Sequence, residues 1–272
     1  MPNTPELRLA VLIDAENVPY KNIKGILAEV AKYGTPTLKR IYGDWTSSSL
    51  SGWKNYLLEN AITPIQQYSY TSGKNSSDSA LIIDAMDILY SEKVDGFCIV
   101  SSDSDFTRLA IRLREAGMKV IGIGERKTPS AFIAACEKFI YIEIINAPVK
   151  NGNNYTPDQH KDDFVEQEPK NSSVEIGNDI ISLISDSVND VADDNGWAFL
   201  ADVGNLISKK QPYFDARNYG FSKLTPLVKS LKCFQIEERE SSNSRIKHIY
   251  IRNNNNSRII YCHAAGIQYE IR

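Results

Sequence analysis

Over residues 7–145 the chain alternates short apolar runs with longer segments of helical periodicity, and no other feature restricts its fold as strongly. The runs LRLAVLID, TLKRIYG, ITPIQQY, GFCIVSS, KVIGIG and KFIYIEII read as strands, and helices are expected from about Lys21, Ser48, Ser77 and Asp105. Such alternation implies a parallel sheet with helices packed on both of its faces. The near-continuous apolar character of AVLI and FCIV fits strands that are covered on both sides. The expected fold class is therefore α/β, with a Rossmann-like parallel sheet over residues 1–145.

Beyond Asn146 the pattern breaks. The stretch NAPVKNGNNYTPDQHKDDFVEQEPKNSS is polar, rich in Asn, Pro, Asp and Glu, and lacks periodic hydrophobicity, so residues 146–173 read as a flexible linker. A second unit is expected over 174–252. It opens with IGNDIISLISDSVNDVA, continues through AFLADVGNLISKK and YGFSKLTPLVKSL, and closes on the strand-like pieces FQIEER and HIYIR. Three helices followed by a hairpin describe a smaller α+β domain, a winged helix. The remainder, 253–272, follows an asparagine run and receives no role.

A length of 272 residues suits two ordinary domains, and 42% apolar with 24% charged residues is the composition of a soluble protein. No apolar run approaches the roughly 20 residues that cross a bilayer, and the first ten residues lack a basic-then-apolar signal pattern, which together lead to an expectation of cytoplasmic location. Cys98, Cys136, Cys233 and Cys262 are scattered without a C-x-x-C pair, and His160, His248 and His263 are equally dispersed. Neither a disulfide framework, a zinc site nor histidine general-base catalysis is expected from them. The net charge of −3 neither proposes nor excludes nucleic acid, since binding needs a local basic face.

The acids are more informative. In a doubly wound sheet the C-terminal ends of the strands share one edge, where ligands bind. Asp14 ends the first strand, Asp103 and Asp105 follow the fourth in VSSDSDF, and Asp78 begins the helix after the third in GKNSSDSALIIDAMD. Carboxylates gathered in one crevice repel one another, and a divalent cation relieves the conflict. Oxygen donors without His or Cys suit Mg²⁺ or Mn²⁺. Each acid also has a plainer reading: Asp14 and Asp105 stand where an Asp caps a helix. Asp84 lies about 240° around the helix from Asp78, and is either a support for the site or a structural acid.

Taken together, LIDAENV, GKNSSDSALIIDAMDILY and IVSSDSDFTRLAIRLREAGMKVIGIG resemble the NYN domain, a branch of the PIN-like ribonuclease superfamily, from about Leu7 to Ile145. The resemblance implies a Mg²⁺- or Mn²⁺-dependent ribonuclease with metal ligands at Asp14, Asp78, Asp103 and Asp105. It implies further that Asn17 contacts metal-bound water or a phosphate, and that Ser101 and Ser102 shape the substrate loop. Lys74 is a candidate phosphate contact, and Tyr68 and Tyr70 are candidates for base stacking, with a solvated loop as the alternative. Trp45 follows the second strand at the same edge. Arg108, Arg112 and Arg114 are read first as a solvated helix face.

The segment FDARNYGFSKLTPLVKSLKCFQIEER resembles the OST-HTH, or LOTUS, domain, which implies an RNA-binding winged helix or, alternatively, a protein-docking one. Lys223 and Lys229 are placed on its third helix as substrate-binding residues, with Lys232 after them and Arg245 and Lys247 in the wing. The partners expected are RNA and no membrane; a protein partner and a homodimer stay open. Two alternatives to the ribonuclease are carried: a non-catalytic RNA-binding adaptor, and a Mg²⁺-dependent phosphatase that would use the DSD at 103–105.

Overall fold

The computed structural model describes residues 6–68, 76–145, 176–240 and 247–254. Its chain divides into two compact units. The first is built on a six-stranded, fully parallel sheet in the order β3-β2-β1-β4-β5-β6. The strands are β1 (Arg8–Asp14), β2 (Thr35–Gly43), β3 (Thr63–Gln66), β4 (Gly96–Val100), β5 (Lys119–Gly124) and β6 (Lys138–Tyr141). Between and after them come α1 (Ile23–Val30), α2 (Trp53–Asn60), α3 (Ser76–Tyr90), α4 (Thr107–Glu115), α5 (Ser130–Ala135) and α6 (Ile142–Ile145).

Successive side chains of a strand point to opposite faces, and β1 displays the rule cleanly. Leu9, Val11 and Ile13 join the core under α1, α2 and α6, where Ile23, Ile26, Trp53 and Ile142 are buried. Ala10 and Leu12 join the core under α3, α4 and α5, with Leu81, Ala85, Leu109, Leu113 and Phe132. Burial on both faces explains the uninterrupted apolar runs. Cys98 packs in the first of these cores as a small hydrophobe.

The chain runs from β1 outward to β3, then returns to the other side of β1 for β4. The segment after β1 leads to α1 on one face, and the segment after β4 leads to α4 on the other. Neighbouring loops that part in this way open a crevice above the β1–β4 boundary, the switch point of a doubly wound sheet. Gly124 keeps the floor of that crevice tight, because a Cβ there would stand 2.6 Å from the carbonyl oxygen of Ser101.

One expectation needs correction in this unit. KFIYIEII is not one strand: it pairs only through Tyr141, and Ile142–Ile145 turn into α6 with Ile142 and Ile144 buried. Between β5 and β6 the chain forms the six-residue α5, with Phe132, Ile133 and Ala135 buried.

The second unit holds α7 (Asn178–Val191), α8 (Leu200–Lys210) and α9 (Leu224–Ser230), followed by β8 (Phe234–Glu240) and β9 (Lys247–Asn253). A two-residue strand, β7 (Ala198–Phe199), precedes α8 and pairs antiparallel with β9, giving the sheet order β7-β9-β8. The pattern AFLADVGNLISKK puts these two residues at the start of the helix, whereas α8 starts only at Leu200. Among the described residues, no helix is long and apolar enough to cross a membrane.

A candidate metal centre at the strand ends

The alternation that buries Ala10 and Leu12 beneath α3 carries Asp14 to the same face. Asp14 is almost wholly buried, at 1% exposure. Its Oδ1 accepts from the backbone N–H of Glu16 at 3.1 Å, and its Oδ2 accepts from Asn17 Nδ2 at 2.6 Å and Ser101 Oγ at 2.9 Å. Burial raises the pKa of the carboxyl, these hydrogen bonds oppose the rise, and the nearby charge of Asp103 adds to it.

Beyond Val100 the same period-2 logic separates Ser101 from Ser102. Phe97 and Ile99 face α3 and α4, and Ser101 continues that side. Its hydroxyl donates to Asp14 and accepts from the backbone N–H of Asp103 at 3.1 Å, so one buried group ties the ends of β1 and β4 together. Ser102 faces the other way and accepts from the Glu125 N–H at 2.9 Å. Both serines therefore hold loops in place from buried positions.

Asp103 caps a short 3-10 turn at Ser104–Phe106, its Oδ1 accepting from the Asp105 N–H at 2.9 Å. The cap expected at Asp105 falls on Asp103 instead, with Asp105 in the first turn, and it uses one of the two Asp103 carboxylate oxygens. Asp78 stands in the first turn of α3. One carboxylate oxygen each from Asp78, Asp103 and Asp105 can be chosen so that all lie within 4.8 Å of one another. Asp78 is buried, Asp103 half-buried and Asp105 exposed, so the group opens outward from a buried base.

No cation partners Asp78 in an ion pair among the described residues. Burial first, then the charges of Asp14, Asp103, Asp105 and Glu16, push its carboxyl up to about 7. Such repulsion is what a bound cation would relieve, and an all-oxygen donor set suits a hard divalent ion. Asp14, expected as a fourth ligand, is not in this group of three, but its charge acts on Asp78 and that of Asp103 acts on it.

Asn17 is committed to Asp14 through its side-chain amide. Lys74 and Tyr70 lie outside the described residues; Tyr68 is 57% exposed. Trp45 turns its indole N–H to the Ile65 carbonyl at 3.0 Å and packs on the core. Arg108 is exposed, while Arg112 reaches Tyr90 and Arg114 the Ala135 carbonyl. Asp84 is a structural acid, accepting from both Arg40 and Tyr42.

Glu16 was not singled out from the sequence, although it stands two residues after Asp14 in the same loop. Burial and the charges of Asp14 and Asp44 raise its pKa. A groove of about 530 Å³ runs from this loop, lined by Glu16, Asn17, Tyr20, Trp53, Glu125 and Lys127.

In the second unit, Lys223 is not on the third helix: it is the extended residue before it, with φ −149° and ψ 166°. Lys229 is on α9 and exposed, and its Nζ donates to Glu238 at 3.1 Å. Lys247 approaches the same carboxylate at 3.8 Å. Lys232 is exposed, and Arg245 lies outside the described residues.

The NYN domain family profile matches residues 8–143, and the OST-HTH/LOTUS domain profile matches 175–246, in that order. No curated protein matches. Among solved structures, a protein of unknown function from Vibrio parahaemolyticus is similar at 20% identity and a TM-score of 0.43, over 52% of this chain and 96% of its own. An uncharacterised Nitrosomonas europaea protein is similar at 26% identity and a TM-score of 0.29, over 43% and 98%. Segment 175–257 of a Chromobacterium violaceum protein is similar at 31% identity and a TM-score of 0.25, over 31% and 89%.

Proposed function

Because the chain belongs to the NYN domain family, within the PIN-like nuclease superfamily, and carries an OST-HTH/LOTUS domain after it, we propose that it is a divalent-cation-dependent endoribonuclease. It hydrolyses RNA phosphodiester bonds in the unit spanning 1–145 and holds its RNA through the unit spanning 174–252, with 146–173 as the linker. The observation that carries this reading is the convergence of Asp78, Asp103 and Asp105, from two separate segments, on one small volume at the sheet edge.

Asp78, Asp103 and Asp105 are the residues that would hold Mg²⁺ or Mn²⁺, with Asp14 contributing charge; the ion would neutralise phosphate charge and make water a better nucleophile. The chain's own residues do the rest. Asn17 and Ser101 fix Asp14, and Ser101 also fixes the backbone of Asp103, so the acids are set before substrate arrives. Asp105, the most exposed of the three, is placed to orient the attacking water. Burial and the neighbouring acids push the Asp78 carboxyl up to about 7, a burden that a bound cation would relieve. The adjoining groove gives the RNA strand a path past Glu16 and Asn17.

The test is incubation of pure protein with a mixed RNA pool in Mn²⁺, in Mg²⁺ and in EDTA. Cleavage is expected with either metal and is reversibly stopped by EDTA. Cleavage that persists in EDTA overturns the mechanism, whereas thermal stabilisation by Mn²⁺ without cut RNA identifies the adaptor reading instead.

A further inference from the structure

In the second unit the strand register sorts side chains onto two faces of the small sheet. Ala198 pairs with Ile251, and Ile236 pairs with Ile251 from the other side; Ala198 and Ile251 are buried. Asn253, two residues on, donates to the Ser185 carbonyl of α7 at 3.0 Å, so this is the face toward the helices. The alternate residues Phe199, Tyr250, His248, Arg239 and Arg252 therefore share the opposite, open face.

That face is a continuous layer of flat groups. The Arg239 guanidinium lies 4.1 Å from the centroid of the Tyr250 ring and 5.3 Å from that of Trp197, and Arg252 lies 4.7 Å from Trp197. Phe199 meets His248 at 5.2 Å and Tyr250 at 5.7 Å. All four rings are half-buried, and the Arg239 side chain is 36% exposed. Cross-strand packing alone would account for rings against rings. Two guanidinium planes lie on the rings, each held by a side chain of the same face, Arg239 by Glu237 at 3.1 Å and Arg252 by Gln235 Oε1 at 2.6 and 3.2 Å, and planes fixed in this way offer a platform on which a base can stack. Lys229 and Lys247 share the single carboxylate of Glu238 on the side where a winged helix is expected to read nucleic acid, and as ammonium groups they offer no plane for a base.

We propose that the second unit holds RNA on this open sheet face, and that its ligand is unpaired RNA whose bases stack on the layer formed by Arg239, Tyr250, Trp197 and Arg252. Flat cationic and aromatic groups engage base faces, which only a single strand presents. The inference rests on the reading of this unit as the RNA holder and adds the surface and the strandedness.

The test uses the full chain in EDTA, with fluorescence anisotropy of a short labelled single-stranded RNA of mixed sequence and of the same strand annealed to its complement. Arg239→Gln and Tyr250→Leu are each expected to weaken single-strand binding roughly tenfold, since one stacked base is worth about 1–3 kcal/mol. Arg239→Lys, which keeps the charge and loses the plane, is expected to weaken it by a smaller factor, and Lys229→Ala to change it less than about twofold. Circular dichroism and melting check that each variant folds, and Arg239→Gln stands if Tyr250→Leu does not. Full binding by Arg239→Gln, equal binding of the duplex, or a larger loss with Lys229→Ala overturns the proposal. A wild-type chain that binds neither RNA also overturns it and leaves the face to a protein partner. Because binding is read without metal, a failure to cleave RNA counts against the nuclease reading alone.

Discussion

Two acids on the same helix, six residues apart, live by opposite rules. Asp84, midway along α3, is matched by the Arg40 guanidinium and the Tyr42 hydroxyl of β2, donors that pin helix to sheet. Asp78, in the first turn, has carboxylates for neighbours and a pKa pushed up to about 7. One carboxylate stabilises the fold, and the other is kept at an electrostatic cost. Unrelieved like charge in a cleft makes the Asp78 end of the helix, and not the Asp84 end, the functional-site candidate.

The contrast can be broken first at the acid cluster. Asp103→Asn is expected to lower RNA cleavage by about three orders of magnitude, because an amide is a weak cation ligand and the cation supplies several kcal/mol at the transition state. Melting temperature should hold or rise, since Asn can still cap the turn at Ser104 while one repulsive charge is gone. Cleavage at the parental rate would remove Asp103 from the site. Asp84→Asn should do the reverse: a loss of about 2 kcal/mol in urea unfolding, with the folded fraction still cutting RNA at near the parental rate. A stable but inactive Asp84→Asn protein would place Asp84 in the site after all.

The finest test is pH. Asp78 ionises near 4 when unfolded and near 7 when folded, so between these values the folded state binds the extra proton. In EDTA, stability is therefore expected to fall as pH rises from about 4 to 7, by on the order of 1 kcal/mol, and Asp78→Asn should flatten the slope. Mn²⁺ should restore stability above pH 7 and have little effect near pH 5, where a proton competes for the carboxylate. A wild-type profile that rises across this window contradicts the proposed burden on Asp78.

Much of the fold was legible because buried parallel strands leave an unmistakable record: AVLI and FCIV are apolar without a break, and helical spacing fills the intervals. What failed to show were features too short to have a period. The two residues of β7 and the six of α5 sit below any pattern, and Ile142–Ile145 look the same as a strand or a helical turn until their partners are known. Lys223 could have been placed correctly from Pro226, which is tolerated in a first turn and so sets the helix start just before it. For the site, positions in the chain were readable, since acids after strands meet at one edge. Hydrogen-bond loyalties were not: nothing in the letters says that Asn17 serves Asp14, that Ser101 and Ser102 face opposite ways, or that Glu16 adds to the charge on Asp78.

The bond from Ser101 to Asp14 joins residues 87 apart in the chain, and the strands that bring them together, β1 and β4, are neighbours in space with the whole of β2, β3 and α3 between them in sequence. Contacts this remote are slow to form, because a long loop must be closed before they return any energy. A growing chain released only as far as residue 95 would hold Asp14 and Asp78 but neither β4 nor the Asp103 and Asp105 that follow it. The proposed metal centre is thus tied to completion of the central strand pair, and a copy truncated before β4 lacks two of its four acids.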